Sequence, residues 1–351
     1  MIASNARSGP IPLRCGWAKS QGRSRSKGVL VDCVWTSEGG GGLRGVGLLG
    51  IGSEGAFLSS LSRDIFKRVR TLVAGRVASG ASCDFHDTTM LSILCRLRVA
   101  AMTLPLWVLL GGAQDRVPLY TTEGGWLHLS PEALVDQTLA AQADGFKGAK
   151  IKIGRPHVSE DVNRLEAVRE AVGPSFDLMT DANQGFYRPE AIRRARAFDG
   201  LDLAWIEEPY PAEDVQGHAL LRAQTTIPVA VGESMYHLSQ FREYLERGAC
   251  SIVQPDVARI GGITPWLKTA HLAEAFNMPV CPHFLMEIHV SLCAAVPNAS
   301  WVEYIPQLDR ITTSRLEIDD GYAIPPQTPG LGIEWDWGAI GRLKLCDLTV
   351  N

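Results

Sequence analysis

The feature that most narrows what this chain can fold into is an alternation. Eight short runs of apolar and β-branched residues, at 117–122, 149–153, 177–181, 203–207, 228–233, 251–256, 279–283 and 301–305, recur roughly every 20 to 30 residues. Between most of them lie amphipathic stretches with helix-start signals: Ser130 ahead of Pro131, Ser159 ahead of Glu160 and Asp161, Pro189 ahead of Glu190. A strand that is apolar along its length must be covered on both faces, and a strand–helix–strand rhythm supplies that cover in a parallel sheet. Eight such strands suffice to close a barrel. An open, doubly wound sheet shares the rhythm. It is disfavoured because the first strand-to-helix turn has no GxGxxG, and because acids and a histidine recur at the carboxyl ends of successive strands, where barrels keep their chemistry. The expectation is an α/β chain with a TIM-type barrel over 115–309.

Before the barrel the chain changes character. Residues 1–114 are rich in Gly, Ser and Arg, with a glycine run at 39–42 and helical stretches only at 56–73 and 86–103, and read as a separate N-terminal domain. The tail, 310–351, is turn-rich (Asp319-Asp320-Gly321, Pro325-Pro326) and is expected to pack back onto that domain. With 34 Lys+Arg against 38 Asp+Glu the net charge is −4, so the chain lacks the basic excess that nucleic acid binding requires. The longest apolar stretch, 99–110, is interrupted by Thr103 and Pro105, too short to span a membrane. The eight cysteines form no CxxC pair and read as incidental thiols, which favours a reducing, cytoplasmic setting. Residues 1–31 carry six basic residues and no acid, as an organelle transit peptide would, yet the strand pattern of 29–35 follows at once and favours a basic loop.

The chemistry lies at the strand ends. Asp181, Glu207 and Glu233 close three successive runs at intervals of 26 and 26 residues, one βα unit each, which brings three carboxylates to one rim. Clustered acids repel unless a cation neutralises them, and an all-oxygen set suits Mg²⁺. Lys150 and Lys152, at i and i+2 of one strand, point the same way, into the barrel. Crowding two cations there is expected to lower the pKa of one into general-base range, and the pair could equally hold a substrate carboxylate. Asp256 and His283, 27 residues apart, end adjacent strands and form a candidate dyad in which the acid orients the imidazole. His218, His271 and His289 read as core residues. Glu303 closes the last run; with a pKa raised by burial it could donate to an oxyanion, and the alternative is an internal salt bridge to a lysine. Together these groups suit removal of the proton beside a carboxylate, with bases on opposite faces and the metal and acids stabilising an enediolate.

In this order, Lys150-x-Lys152, Asp181 with Asn183, Glu207, Glu233, Asp256, His283 and Glu303 resemble the enolase superfamily, and within it the mandelate racemase subgroup, from about Val117 to the end of the chain. The resemblance implies a modified (β/α)7β barrel with an N-terminal α+β capping domain, Mg²⁺ on the three acids, Lys152 and His283 as opposed acid/base groups, and Lys150, Asn183 and Glu303 at the substrate. It implies a homo-oligomer acting on a small-molecule carboxylate. The stretch 282–287 with Glu303-Tyr304 is similar to the talarate/galactarate type of acid-sugar dehydratase, a hydro-lyase; racemases and epimerases of the subgroup use the same groups. The N-terminal third departs from the pattern, with 17–27 as the expected specificity loop.

Overall fold

A computed structural model of the protein describes residues 104–343 in full and residues 29–36, 42–49 and 347–350 as strand backbone. The helices expected at 56–73 and 86–103, the loop expected at 17–27 and most of the stretch expected as a capping domain lie outside the described residues. The chain divides into two units, Met1–Ala81 with Gly338–Asn351, and Ser82–Trp337. In the first, β1 (Val29–Thr36) pairs antiparallel with β2 (Gly42–Leu49) and parallel with the final strand, β12 (Asp347–Val350).

Among the described residues, the second unit opens with a one-turn helix, α1 (Leu106–Leu109), and then alternates. Its strands are β3 (Val117–Thr121), β4 (Gly148–Lys152), β5 (Asp177–Asp181), β6 (Leu203–Glu207), β7 (Val229–Val231), β8 (Ile252–Val253) and β9 (Val302–Tyr304). Its helices are α2 (Pro131–Ala143), α3 (Val158–Val172), α4 (Arg188–Ala197), α5 (Val215–Arg222), α6 (Leu238–Glu246), α7 (Ile263–Ala275) and α8 (Met286–Ala295). Parallel pairing runs from β3 through β8, passes to Val280 as a single bridge and on to Ala299, and β9 returns to β3 with Leu119 opposite Val302. The sheet is closed, which excludes the doubly wound alternative.

The run expected as a strand at 279–283 is reduced to the bridge at Val280. Pro279 and Pro282 flank it and have no N–H to donate, so the run's donors to the ladder are Val280, whose N–H reaches Asn298 O, and Cys281, whose N–H reaches Val253 O. Ser130 caps α2 as expected, its hydroxyl accepting from Ala133 N at 3.3 Å, whereas α3 starts one residue before Ser159 and α4 one before Pro189. The hairpin of β10 (Glu317–Asp319) and β11 (Tyr322–Ile324) joins β3 in an antiparallel pair, and α9 (Trp337–Leu343) follows. No helix among the described residues is long and apolar enough to cross a membrane.

Inside the barrel, Tyr120, Met179, Trp205, Ala230, Ile252 and Cys281 form an apolar floor, with Tyr120 and Trp205 meeting edge to face at 5.2 Å. Cys250, Cys281 and Cys293 are buried free thiols.

One carboxyl group is buried within this packing. Glu287, in the first turn of α8, is 7% exposed and neither of its carboxyl oxygens has a hydrogen-bond partner. Burial, with Asp309 adding to it, pushes its pKa up from 4.5 to about 7. Between those values the folded chain keeps a proton that the unfolded chain releases, so stability falls as pH rises through that window and stays low above it. Glu287→Gln is expected to stabilise the protein by roughly 3 kcal/mol at pH 8 and by almost nothing at pH 4.5, as read from urea denaturation at both values. Equal effects at the two pH values would show that the carboxyl is not held neutral.

Candidate active site

The carboxyl end of the barrel collects the acids. Asp181 and Glu207 end β5 and β6 and are direct register partners, with Lys152 opposite Asp181 on the other side. Glu233 is not in that row. Glu207 pairs with Ala230, so the third acid stands beyond the end of β7 and is carried back by Gly232. That glycine has a φ of +151°, and a Cβ on it would lie 2.6 Å from the Gln254 backbone. The result is one oxygen from each of Asp181, Glu207 and Glu233 within 4.8 Å of the others, all three residues buried.

The donor set fits Mg²⁺: hard, anionic oxygens converging in a buried position with no thiolate or imidazole among them. Burial pushes Glu207 up to about 7; Lys150 opposes the shift, and Asp181, Glu303 and Glu233 add to it. A carboxyl in that condition gains from a cation brought beside it. Its orientation is held by Lys150 and by two neighbours that the sequence reading did not single out. Glu207 Oε2 accepts from the Trp205 indole at 3.1 Å and from the Gln254 side-chain amide at 2.8 Å, while Oε1 accepts from Lys150 at 2.8 Å. Trp205 was accessible in principle, since it precedes Glu207 by two on one face of β6; Gln254, one strand further on than Glu233, was not. Gln254→Leu is expected to weaken Mg²⁺ binding about 10- to 100-fold by titration calorimetry, and unchanged affinity would remove the amide from the site's support.

The two lysines separate by exposure. Lys150 is 1% exposed, enclosed by Glu303 at 2.6 Å, Glu207 at 2.8 Å and Asp181 at 3.6 Å, with its ammonium 5.7 Å from the Tyr120 ring centre. Lys152 is 15% exposed, pairs with Asp181 and donates to Asn183 Oδ1 at 2.9 Å. Its strand end is pinned by Arg164, which donates to Lys152 O at 2.9 Å, and by Gly125 O, which accepts the Lys152 N–H at 2.7 Å. The expected lowering of a lysine pKa does not occur in this set. Burial opposes the charge of both, but Glu207 and Glu303 outweigh it at Lys150 and Asp181 outweighs it at Lys152, so both are raised.

At the Glu233 end stands the histidine. His283 Nδ1 donates to Asp256 Oδ2 at 2.9 Å, which leaves Nε2 facing Glu233 Oε2 at 3.3 Å. Burial works against the imidazolium, but Glu233 and the Asp256 hydrogen bond outweigh it and carry the pKa to about 9. Asp256 is fixed in turn by Ala258 N–H at 2.7 Å and Arg259 N–H at 3.2 Å on Oδ1. The Arg259 guanidinium also reaches Glu233 O at 2.8 Å and Oε1 at 3.2 Å, tying the dyad's acid to a metal-site acid. Sequence reading missed this arginine; its position three residues after Asp256 was the available signal.

Glu303 takes the salt-bridge alternative rather than the neutral-acid one. Burial raises its pKa, yet Lys150, His283 and the Thr122 hydroxyl more than reverse that and hold it far below the usual range. Its oxygens accept from Lys150, from Thr122 Oγ1 at 2.6 Å and from Phe284 N–H at 2.8 Å. Of the three histidines read as core, His218 and His289 are buried, whereas His271 lies at the surface beside Glu274 because its side of α7 faces outward. Five non-glycine residues with positive φ, Asn183, Gln184, Glu208, Phe284 and Leu285, sit immediately behind these strand ends. Each left-handed residue costs on the order of 1–2 kcal/mol, a strain that clusters at functional sites.

Fold and site together define a class: a closed α/β barrel whose rim gathers three acids for a divalent ion, with an amine at one end of the set and an imidazole at the other. A family model described as enolase C-terminal domain-like matches residues 133–339, more than half of the chain. The chain belongs to the enolase superfamily, in its mandelate racemase/muconate lactonizing enzyme subgroup. It is similar to L-talarate/galactarate dehydratase of Salmonella typhimurium, 41% identical over 229 residues, 65% of this chain and 58% of that protein. It is also similar to 3,6-anhydro-alpha-L-galactonate cycloisomerase of Streptomyces coelicolor, 38% identical over 243 residues, 69% of this chain and 67% of the relative. The crystal structure of L-talarate dehydratase from a Polaromonas species, complexed with Mg and L-glucarate, superimposes with a TM-score of 0.74 at 32% identity, covering 90% of this chain and 96% of that one. The matched region therefore spans 58% of one curated relative's length and 67% of the other's.

Proposed function

We propose that the protein is a Mg²⁺-dependent acid-sugar dehydratase. The observation that carries this reading is the buried triad of Asp181, Glu207 and Glu233 flanked by Lys152 at the Asp181 end and His283 at the Glu233 end. The ion, on the three acids, would supply positive charge beside the substrate carboxylate as the α carbon loses its proton. Lys152, once its own ammonium proton has passed to solvent, takes that proton from one face as the free amine. His283, its Nδ1 held by Asp256, gives the proton on Nε2 to the departing β-hydroxyl, which leaves as water. The resulting enol tautomerises to a 2-keto-3-deoxy acid, so one water is lost and nothing is oxidised or reduced. Asn183 accepts from Lys152 and keeps the ammonium at the rim. Lys150 balances Glu207 and Glu303, holding the charge of the rim at a value a carboxylate substrate can approach.

The talarate and galactarate dehydratase relatives support an aldaric or aldonic acid as substrate. The test is a panel of C5 and C6 aldonic and aldaric acids with Mg²⁺, assayed for 2-keto-3-deoxy products. Product with at least one acid, abolished by EDTA and restored by Mg²⁺, is expected. No product together with deuterium wash-in at the α carbon would replace dehydration by racemisation or epimerisation on the same groups.

A further inference from the structure

We infer that His289 is a positioning residue for the Asp256–His283 dyad, a buried imidazole that staples together the two loops carrying its members. This rests on the reading of the dyad as catalytic. His289 lies in α8, is fully buried, and packs its ring against Trp266 with centroids 6.0 Å apart. Its Nε2 accepts from the backbone N–H of Val257, the residue after Asp256, at 3.1 Å. A nitrogen that accepts from an N–H carries no proton itself, so the ring proton is on Nδ1, which donates to the carbonyl of Phe284, the residue after His283. Each ring nitrogen thus holds the peptide adjoining one dyad member.

The loop so held is one that would not hold itself. Phe284 and Leu285 have φ of +61° and +40°, a run of left-handed backbone without glycine. The Phe284 peptide is gripped at both ends, its N–H by Glu303 Oε2 at 2.8 Å and its carbonyl by His289. On the other side, Asp256 Oδ1 caps Ala258 and Arg259 N–H, which leaves the Val257 N–H to His289. Burial lowers the His289 pKa to about 4, so the ring stays neutral and keeps both bonds at any working pH. A cation in this position would lose the Val257 bond.

The test uses the full-length, Mg²⁺-loaded protein with ¹⁵N-labelled histidines, and compares His289→Phe with His289→Asn and His289→Gln. Phenylalanine keeps the bulk and loses both bonds. Asparagine places its amide nitrogen near the Nδ1 position and keeps the Phe284 bond; glutamine places its carbonyl near the Nε2 position and keeps the Val257 bond. The readout is the His283 Nδ1–H resonance, which is downfield when bonded to Asp256. It is expected to move upfield and exchange with water at least about tenfold faster in the Phe variant, with Asn and Gln between. Turnover is expected to fall about 10²-fold with KM little changed, the size that a displacement on the order of 1 Å produces. Should the Phe variant not fold, the Asn and Gln pair decides by the same resonance. An unchanged resonance and exchange rate in the variants overturns the proposal. Because that measurement needs no substrate, it stands even if no acid sugar is turned over, which separates failure of this inference from failure of the functional reading.

Discussion

Lys152→Ala is expected to lose turnover by a factor of about 10²–10⁴, the usual contribution of a positioned acid/base group. Mg²⁺ affinity should hold or rise in the same variant, because the ammonium that competes for Asp181 is gone. His283→Asn is expected to lose turnover by a similar factor for a different reason. With the proton donor to the β-hydroxyl removed, α-proton exchange on Lys152's face continues while elimination stops. Deuterium wash-in therefore separates the two: present in the His283 variant, absent in the Lys152 variant. Exchange retained in both would show that neither side chain is the base, and lost Mg²⁺ binding in Lys152→Ala would show that the lysine supports the acids rather than acting beside them.

The second large effect falls on stability. Lys150→Met removes a cation that is 1% exposed and touches Glu207, Glu303 and Asp181, leaving buried carboxylates without their partner. Breaking a buried ion pair on one side costs about 3–5 kcal/mol. The loss should be largest without metal and partly recovered with Mg²⁺, since the ion replaces some of the missing charge at Asp181 and Glu207 but none at Glu303. Denaturant titrations with and without Mg²⁺ check this. A variant as stable as the parent without metal would mean that these acids are already protonated.

The strained residues behind the strand ends and the buried support of Glu207 follow one logic. Catalytic side chains at a barrel rim hang on short loops, and a loop stays in place only if its backbone polar groups find partners. Arg164 holds the end of β4, Gln254 and Trp205 hold Glu207, and Arg259 joins Glu233 to Asp256. Arg164 and Gln254 come from other elements than the residues they support and Arg259 from another strand end than Glu233, while Trp205 shares β6 with Glu207, so a mutation at any of them moves the site from behind.

By itself the amino-acid sequence determined the alternation that builds the barrel, the three acids, the lysine pair and the Asp256–His283 dyad, because these follow from local periodicity and from spacing of one βα unit. It left Trp205, Gln254 and Arg259 unremarked and read His289 as core, since short offsets such as those of Trp205 from Glu207 and Arg259 from Asp256 do not reveal which atoms meet. Tertiary structure alone decided which lysine is a counter-ion and which reaches the rim, that Glu303 is ionised and that Glu233 stands outside the row formed by Asp181 and Glu207. The reason is physical: a pKa and a register depend on which charges and backbones meet across strands, and equal spacing along a chain sets neither.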